Sequence, residues 1–490
     1  MSKEAVEGLK PETLWQRFYE ITQVPRPSKS EGKIREYLKD FAKKNNLQVK
    51  EDEVGNIVIS APAAPGYEKA GTVVLQGHVD MVCEKNKGTQ HDFDNEGLKL
   101  EKDGEWIKAR GTTLGADNGI GVAAALAVLT DKEIKRGPVE CLFTIDEETG
   151  LTGANNIQPG FITGKALLNL DSEEDGAFYV GCAGGLDTQG IFSADYIDKT
   201  QGYSAYNLLV SGLKGGHSGM EINTGRANAI KVMGRVLKAL NSTGLLLVRL
   251  EGGSKRNAIP REAEAVVLLQ PAQEKAALEI IRQMEEQLKN EFKVTDNGLK
   301  IDLTAADGEY KKAFSTEFQK RLVNAILGLP HGVLSMSADI PGLVETSTNL
   351  ATISMEGDKL VIGTSQRSSI ESAKWYAAHI VESVLELAGA EIRQGDGYPG
   401  WKPDMNSEAL RVSKKIFEAL FNGEPEVKAI HAGLECGILG DKYPGLDMIS
   451  FGPTIIGAHS PDERVNIPTV ERFYRLLSGI LNEYASIKVN

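Results

Sequence analysis

Cysteine is scarce in this chain, and the few cysteines present form no recognisable metal-binding pair. The 490 residues include only Cys83, Cys141, Cys182 and Cys436, and none of them stands in a CxxC spacing. A disulfide framework or a cysteine-based zinc site would need more cysteines at closer spacing. We therefore expect buried thiols in a reducing compartment, and the predicted location is the cytoplasm.

Long apolar runs are also missing. No stretch approaches the roughly 18 residues that a membrane-spanning helix requires. The N-terminal sequence MSKEAVEGLKPETLWQRF mixes charged and apolar residues at helical spacing, and it lacks the apolar core of a signal peptide. We expect no membrane partner.

Basic residues are outnumbered. The chain has 55 Lys and Arg against 68 Asp and Glu, a formal net charge of −13, which disfavours a nucleic-acid-binding surface. The Gly-rich segment GADNGIG matches neither GxGxxG nor GxxxxGK[ST], and no lysine follows to reach a phosphate. A nucleotide-binding α/β enzyme is therefore disfavoured too.

The remaining composition is that of an ordinary globular protein, with 41% apolar and 25% charged residues. A chain of this length exceeds what one hydrophobic core usually supports, so two or more units are expected. Helix and strand patterns alternate over 1–186. Charged amphipathic helices and alternating strands fill 187–393, in what look like two related halves. The alternation of helix and strand patterns returns over 394–490. We predict an α/β domain interrupted by one inserted α+β domain.

Three short apolar segments each run directly into a polar cluster. TVVLQG (72–77) is followed by HVD, VECLFTI (139–145) by DEETG, and KALLNL (165–170) by DSEEDG. In open α/β sheets ligands bind at the carboxyl ends of the strands. We expect these clusters to meet in one crevice.

Each candidate residue has an ordinary explanation when it is considered alone. Glu147 and Glu148 are consistent with a solvated acidic loop, Asp117 with a helix cap, and His78 with a structural histidine bonded to Asp80. Together the candidates offer two imidazoles and several carboxylates, a set that suits a dinuclear zinc site. The full set is His78, Asp80, Asp117, Glu147, Glu148, Asp171 and His459.

His217, in LKGGHSGME, is equally consistent with a structural and a functional role, because its flanking glycines leave the imidazole accessible. The residues alone do not decide between the two.

The motifs HVDMV, GTTLGADNGIG, TIDEETGLTGA, LLNLDSEE, GGHSG and GAHSPDE, in this order, closely resemble the aminoacyl-histidine dipeptidases, also called peptidase D or cytosol non-specific dipeptidases. The resemblance covers nearly the whole chain. It extends to a clan of zinc peptidases and deacylases that includes aminoacylase and carnosinase. It implies a mixed-sheet di-zinc catalytic domain, and it makes the inserted domain a lid.

The resemblance also implies roles for individual residues. His78 and Asp171 would hold one metal ion, Glu148 and His459 the other, and Asp117 would bridge both. Asp80 would orient His78, and Glu147 would act as the general base. From the lid, His217, Asn257 and Arg367 would contact the substrate. The cofactor would be two divalent ions, zinc foremost, with cobalt or manganese as alternatives.

The implied activity is hydrolysis of dipeptides, Xaa-His among them, so the expected partner is a small peptide. A tripeptidase or an N-acyl amino acid deacylase of the same clan is the nearest alternative. A non-catalytic binding protein of this fold would be expected to lack His78, Asp117 or Glu147, and all three are present. The long lid leaves both a monomer and a homodimer open.

Overall fold

The computed structural model describes residues 2–198 and 200–487, beginning with the two amphipathic helices that the sequence predicts around PRPSKSEG. The helices up to Asn156 are α1 (Glu12–Thr22), α2 (Gly32–Lys44), α3 (Ala116–Thr130), α4 (Glu147–Gly150) and α5 (Thr152–Asn156). The strands up to Cys182 are β1 (Gln48–Glu51), β2 (Ile57–Ala61), β3 (Val73–His78), β4 (Leu100–Asp103), β5 (Trp106–Ala109), β6 (Val139–Thr144), β7 (Ala166–Asn169) and β8 (Ala177–Cys182).

The middle of the chain is richer in strands. Its strands are β9 (Gly184–Ser193), β10 (Tyr196–Ile197), β11 (Ser204–Ser211), β12 (Gly216–His217), β13 (Leu246–Gly252), β14 (Ala258–Ile259), β15 (Ala263–Leu269), β16 (Lys300–Ala305), β17 (Ala313–Phe314), β18 (Gly332–Met336), β19 (Val344–Glu356), β20 (Lys359–Ser368) and β21 (Glu391–Gln394). Its helices are α6 (Ala229–Leu240), α7 (Glu274–Glu291), α8 (Thr316–Gly328) and α9 (Glu371–Leu387). Two short 3-10 helices span Asn241–Thr243 and Pro271–Gln273.

The C-terminal part returns to alternating helix and strand. It contains α10 (Glu408–Phe421), β22 (Glu426–Ile430), α11 (Glu435–Lys442), β23 (Asp447–Ser450), β24 (Ile455–Ile456), β25 (Arg464–Asn466) and α12 (Ile467–Ser486).

The chain divides into two units. The first is built from the segment that ends at Gly181, from Pro403–Ala429 and from the segment that begins at Leu434. The second contains Cys182–Lys402 and the short return segment Ile430–Gly433. The bounds 187–393 for an inserted domain, and its interpretation as a lid of two related halves, stay predictions.

An eight-stranded mixed sheet forms the centre of the first unit, in the order β1-β2-β6-β3-β7-β23-β8-β22. β3 pairs in parallel with both β6 and β7, and β7 pairs in parallel with β23. The outer pairs β1–β2, β2–β6 and β23–β8 are antiparallel. This architecture confirms the predicted mixed α/β fold. It also places the carboxyl ends of β3, β6 and β7 side by side.

Helix α3 is buried on nearly every side because its sequence is dominated by Ala, Val, Leu and Ile. It packs against α1 and β3. A helix that is apolar on every face has to lie within the core. Its place in the core fixes the position of its first turn, which contains Asp117.

The second unit is organised on a sheet of the order β16-β11-β15-β13-β19-β20-β9-β21, with β18 paired to β19. β19 and β20 form the predicted hairpin, with Ser347 opposite Arg367. The buried faces of α6 and α8 pack in one apolar cluster with this sheet. Among the described residues, no helix has both the length and the apolar character needed to cross a bilayer.

Candidate metal and substrate site

Three neighbouring strand ends of the first unit supply the candidate metal site. β3 ends at His78, β6 leads into Glu147 and Glu148 at the start of α4, and β7 leads into Asp171. The imidazole of His78 is almost wholly buried, with 1% exposed. The sequence-predicted clusters therefore lie at adjacent points of one sheet edge.

Asp80 is surrounded by donors. Its Oδ1 lies 3.3 Å from Nδ1 of His78, and its Oδ2 accepts a hydrogen bond from the hydroxyl of Ser28 at 2.7 Å. The backbone N–H groups of Glu147 and Glu148 also donate to its carboxylate, at 3.1 and 3.3 Å. Burial alone would raise the pKa of Asp80, but His78 and these donors lower it to about 2. Asp80 is an ionised anchor for its neighbours.

Asp117 stands between two histidines. Its Oδ1 lies 3.1 Å from Nε2 of His78, and its Oδ2 lies 3.1 Å from Nε2 of His459. Nε2 of His78 is also 3.3 Å from Oδ1 of Asp171, and Nε2 of His459 is 2.9 Å from Oε2 of Glu148. The five side chains thus form two imidazole–carboxylate pairs, with one carboxylate facing both.

The pKa values in this cluster indicate that its carboxylates need a positively charged partner. Burial raises the pKa of Asp171 to about 6, and hydrogen bonds to Asp117 and Glu148 raise the pKa of His459 to about 11. Burial, together with the charges of Asp171, Glu435 and Glu148, raises the pKa of Glu147 well above its ordinary value. Several carboxylates share one crevice with only two imidazoles.

The residues present fit divalent metal ions. Ligand atoms of His78, Asp117 and Glu148 lie within 4.8 Å of one another. Oδ1 of Asp171 is buried, and although Nε2 of His78 lies 3.3 Å away, no described residue donates a well-aligned hydrogen bond to it, which is a costly arrangement unless a cation faces it. Imidazole nitrogens and carboxylate oxygens are the ligands that zinc, manganese and cobalt accept in proteins.

A second group of acidic side chains includes Asp80, and protein hydrogen-bond donors satisfy this group without a cation. Oxygens of Glu31, Asp80 and Asp146 approach within 4.8 Å. The hydroxyls of Thr149 and Thr152 donate to Asp146, and the backbone N–H of Asp146 donates to Glu31 at 3.1 Å. Because protein donors satisfy these acids, the group is part of the scaffold of Asp80.

Glu435 is a buried neighbour of the cluster. Its Oε2 accepts hydrogen bonds from Nε2 of Gln76 at 2.6 Å and from the hydroxyl of Thr144 at 2.8 Å. Burial raises its pKa to about 7. The sequence offered one sign of such a partner. Gln76 is a polar side chain within the apolar strand β3, and a buried polar side chain requires a buried hydrogen-bond partner.

The other three predicted residues belong to the second unit. His217 lies in β12, which pairs with β14, and the carbonyl of Asn257 accepts a hydrogen bond from the backbone N–H of Ser218 at 2.9 Å. An open cavity of about 690 Å³ is lined by both His217 and Asn257. Nδ1 of His217 accepts hydrogen bonds from the N–H groups of Gly219 and Met220. In a neutral imidazole the proton is then on Nε2.

Arg367 lies near two histidines of the same unit. Its Nη1 donates to the hydroxyl of Tyr398 at 3.0 Å, while its buried Nε has no hydrogen-bond partner among the described residues. Burial and the charge of Arg367 lower the pKa of His217, and the same two causes lower the pKa of His431 to about 3. Nε2 of His431 is 2.7 Å from the hydroxyl of Ser347. Both imidazoles therefore stay neutral at pH 7, and Arg367 is the cation of this group.

The sequence profile of Peptidase family M20/M25/M40 matches residues 74–483. The chain is 42% identical over 478 residues to the cytosol non-specific dipeptidase of Escherichia coli (strain K12), covering 97% of this chain and 98% of that protein.

Solved structures show the same fold. Aminoacylhistidine dipeptidase from Vibrio alginolyticus superposes with a TM-score of 0.91 at 42% identity, covering 99% of both chains. The aminopeptidase PepT from Bacillus cereus ATCC 10987 has a TM-score of 0.57 at 18% identity, covering 97% of this chain and 99% of that one. The second similarity concerns the fold alone.

Proposed function

Because the chain belongs to Peptidase family M20/M25/M40, we propose that it is a metal-dependent dipeptidase that hydrolyses Xaa-His and other unsubstituted dipeptides. The observation that carries this proposal is Asp117, whose two oxygens each face a different histidine at 3.1 Å. A carboxylate in that position is suited to bridge two metal ions.

The two imidazole–carboxylate pairs support the ligand assignment. His78 and Asp171 would hold one ion, His459 and Glu148 would hold the other, and Asp117 would contact both. Zinc is the first choice because the family resemblance implies it, and cobalt and manganese are alternatives because they accept the same nitrogen and oxygen ligands. When bound, such a metal pair supplies a water of lowered pKa and polarises the scissile carbonyl.

Glu147 is the proposed general base. Its backbone N–H donates to Asp80 at 3.1 Å, which places the residue next to the proposed ligand Glu148. Its carboxylate takes a proton from the attacking water and passes it to the nitrogen of the leaving amine. One dipeptide and one water then give two amino acids.

The second unit supplies the proposed substrate contacts. His217 carries its proton on Nε2 when neutral, so it can donate a hydrogen bond to the developing oxyanion. Arg367 binds the C-terminal carboxylate of the dipeptide through its planar guanidinium. Asn257 contributes a further polar contact beside His217, since both line the same cavity.

A substrate panel tests the proposal. The protein would be stripped with a chelator, reloaded with Zn²⁺, Co²⁺ or Mn²⁺, and assayed with Ala-His, Ala-Ala, a tripeptide and an N-acetyl amino acid. We expect release of free amino acids from the dipeptides only with metal, and about two ions per chain. Cleavage of the tripeptide or the acetylated compound alone would move the activity to one of the two alternative classes. No cleavage under any loading would favour the non-catalytic alternative.

The proposed compartment is the cytosol. The four cysteines form no disulfide, and the curated relative from Escherichia coli is named a cytosol dipeptidase. Fractionation of the native host with an antibody against the chain would test this.

A further inference from the structure

A single buried carboxylate holds the turn that carries Asp117. Glu463, with 2% of its surface exposed, stands four residues after His459. One of its oxygens, Oε2, accepts hydrogen bonds from the N–H groups of Leu114 at 2.7 Å and Gly115 at 2.8 Å. The other, Oε1, accepts from Ala116 at 2.7 Å and Asp117 at 3.2 Å. Four consecutive backbone donors converge on one side chain.

Within the described residues, these four N–H groups have no other hydrogen-bond acceptor. The first N–H groups of a helix have no intrahelical acceptor, and here Asp117 and Asn118 also depart from helical backbone angles. Gly115 has φ +65°, which turns its N–H to the same side as its neighbours. A carboxylate can accept about four hydrogen bonds. Glu463 therefore matches the turn in both number and direction of donors.

Arg26 holds the same turn from the opposite side. Its guanidinium donates to the carbonyl of Gly115, and its Nη1 donates to the carbonyls of Val79 at 2.9 Å and Asp80 at 2.8 Å. A Cβ added at Gly115 would lie 2.5 Å from Nη2 of Arg26, so the contact leaves no room for a side chain. The turn is thereby fixed to the end of strand β3.

Glu463 also connects two distant parts of the proposed ligand set. It ends the loop 457–463, in which the N–H of Ser460 donates to the carbonyl of Gly457 and the N–H of Glu463 donates to the carbonyl of Ser460. His459, in that loop, lies 3.1 Å from Oδ2 of Asp117. The carboxylate of Glu463 thus sets the separation between the loop that carries His459 and the turn that carries Asp117.

We propose that Glu463 is a positioning residue that orients Asp117 relative to His459 and so determines the affinity of the metal pair. This inference rests on the proposed metal-dependent function. Residues that orient metal ligands typically change metal affinity by about 10–100-fold when they are altered. We expect a loss of metal affinity of that size for Glu463→Gln, because the amide NH₂ would face backbone N–H groups whose hydrogen bonds a carboxylate oxygen now accepts.

The test measures metal binding directly. Full-length wild type, Glu463→Gln and Glu463→Asp would be stripped and titrated with Co²⁺ and Zn²⁺ against a competing chromophoric chelator, and the visible spectrum of bound Co²⁺ would be recorded. The matched control is Glu140→Gln. Glu140 is a buried carboxylate of the same unit that accepts the N–H groups of Thr163 and Gly164, away from any proposed ligand.

We expect Glu463→Gln to bind both ions about 10–100-fold more weakly with an altered Co²⁺ spectrum, Glu463→Asp to recover part of the affinity, and Glu140→Gln to bind as wild type does. If Glu463→Gln does not fold, the weaker binding of Glu463→Asp decides in favour of the proposal. Wild-type affinity in the folded Glu463 variants, an equal loss in Glu140→Gln, or failure of both Glu463 variants to fold would overturn it. Absence of metal binding by the wild type would instead refute the proposed function.

Discussion

Oδ1 of Asp80 lies 3.3 Å from Nδ1 of His78, and both side chains are almost completely buried. The same carboxylate accepts the backbone N–H groups of Glu147 and Glu148. A proposed metal ligand, the proposed base and a second ligand are therefore held by one acid. Changes to Asp80 should consequently affect both metal binding and catalysis.

Replacement of Asp80 by Asn tests this double role. An amide cannot accept all of these hydrogen bonds, and it removes the charge that makes the imidazole of His78 a better ligand. We expect metal affinity to fall about 10–100-fold and kcat to fall as well, measured by chelator competition and dipeptide assay at saturating metal. Asp52→Asn is the matched control, because Asp52 also accepts several backbone N–H groups of the first unit. An unchanged metal affinity in Asp80→Asn would contradict the orienting role.

Glu147→Gln separates catalysis from metal binding. The amide keeps the size of the side chain but cannot accept the proton of the attacking water. We expect about two metal ions to remain bound while kcat falls about 10²–10⁴-fold. Metal content by elemental analysis and kcat for Ala-His would be measured in parallel, with the exposed Glu133→Gln as control. Near-normal turnover would remove Glu147 as the base, and loss of metal would make it a ligand.

Arg367→Lys tests recognition of the substrate carboxylate. Lysine keeps the charge but loses the paired donors of the guanidinium, which are worth about 1.5–3 kcal/mol in a hydrogen bond to a charged group. We expect KM for Ala-His to rise about 10–100-fold with a smaller change in kcat. Ala-His amide, which lacks the carboxylate, should be affected little.

The exposed Arg393→Lys of β21 provides the control for that substitution. An equal loss with the acid and the amide substrate would show that Arg367 acts elsewhere.

The stability of the second unit should depend on pH through His431. Burial and the charge of Arg367 lower its pKa to about 3, against about 6.5 in an unfolded chain. Between these values the unfolded chain binds a proton that the folded chain does not. Stability should therefore rise with pH through this window, be fully present above about 6.5, and be lost as pH falls.

From pH 7 to pH 5 the contribution of His431 amounts to about 2 kcal/mol. His431→Gln should lower the free energy of unfolding at pH 7 but reduce its loss on acidification by about that amount, measured by urea unfolding of the metal-free protein. The exposed His379→Gln should keep the wild-type pH dependence. A wild-type pH dependence in His431→Gln would contradict the buried neutral state.

The family and the class of enzyme were predictable from the sequence and are confirmed by the family profile and the 42% identical relative. The α/β character of the first unit was predictable as well, because the apolar segments that became β3, β6 and β7 are short and bounded by polar clusters. The mixed sheet was expected from the family resemblance and is confirmed. What escaped was the support of the site. Arg26 lies in PRPSKSEG and Glu463 ends GAHSPDE, but neither motif indicates which backbone groups these side chains contact. For Glu435, Gln76 within an apolar strand gave a hint of a buried partner.

The sequence by itself determined which side chains stand at the strand ends, because alternating apolar segments have to form the core and their polar successors have to leave it at one edge. Only the tertiary structure decided that Oδ1 of Asp117 faces His78 while Oδ2 faces His459, 342 residues away. The same holds for Glu463, which receives its four hydrogen bonds from residues about 350 positions earlier. Hydrogen-bond directions between such distant segments depend on how the core packs, and no local pattern encodes them.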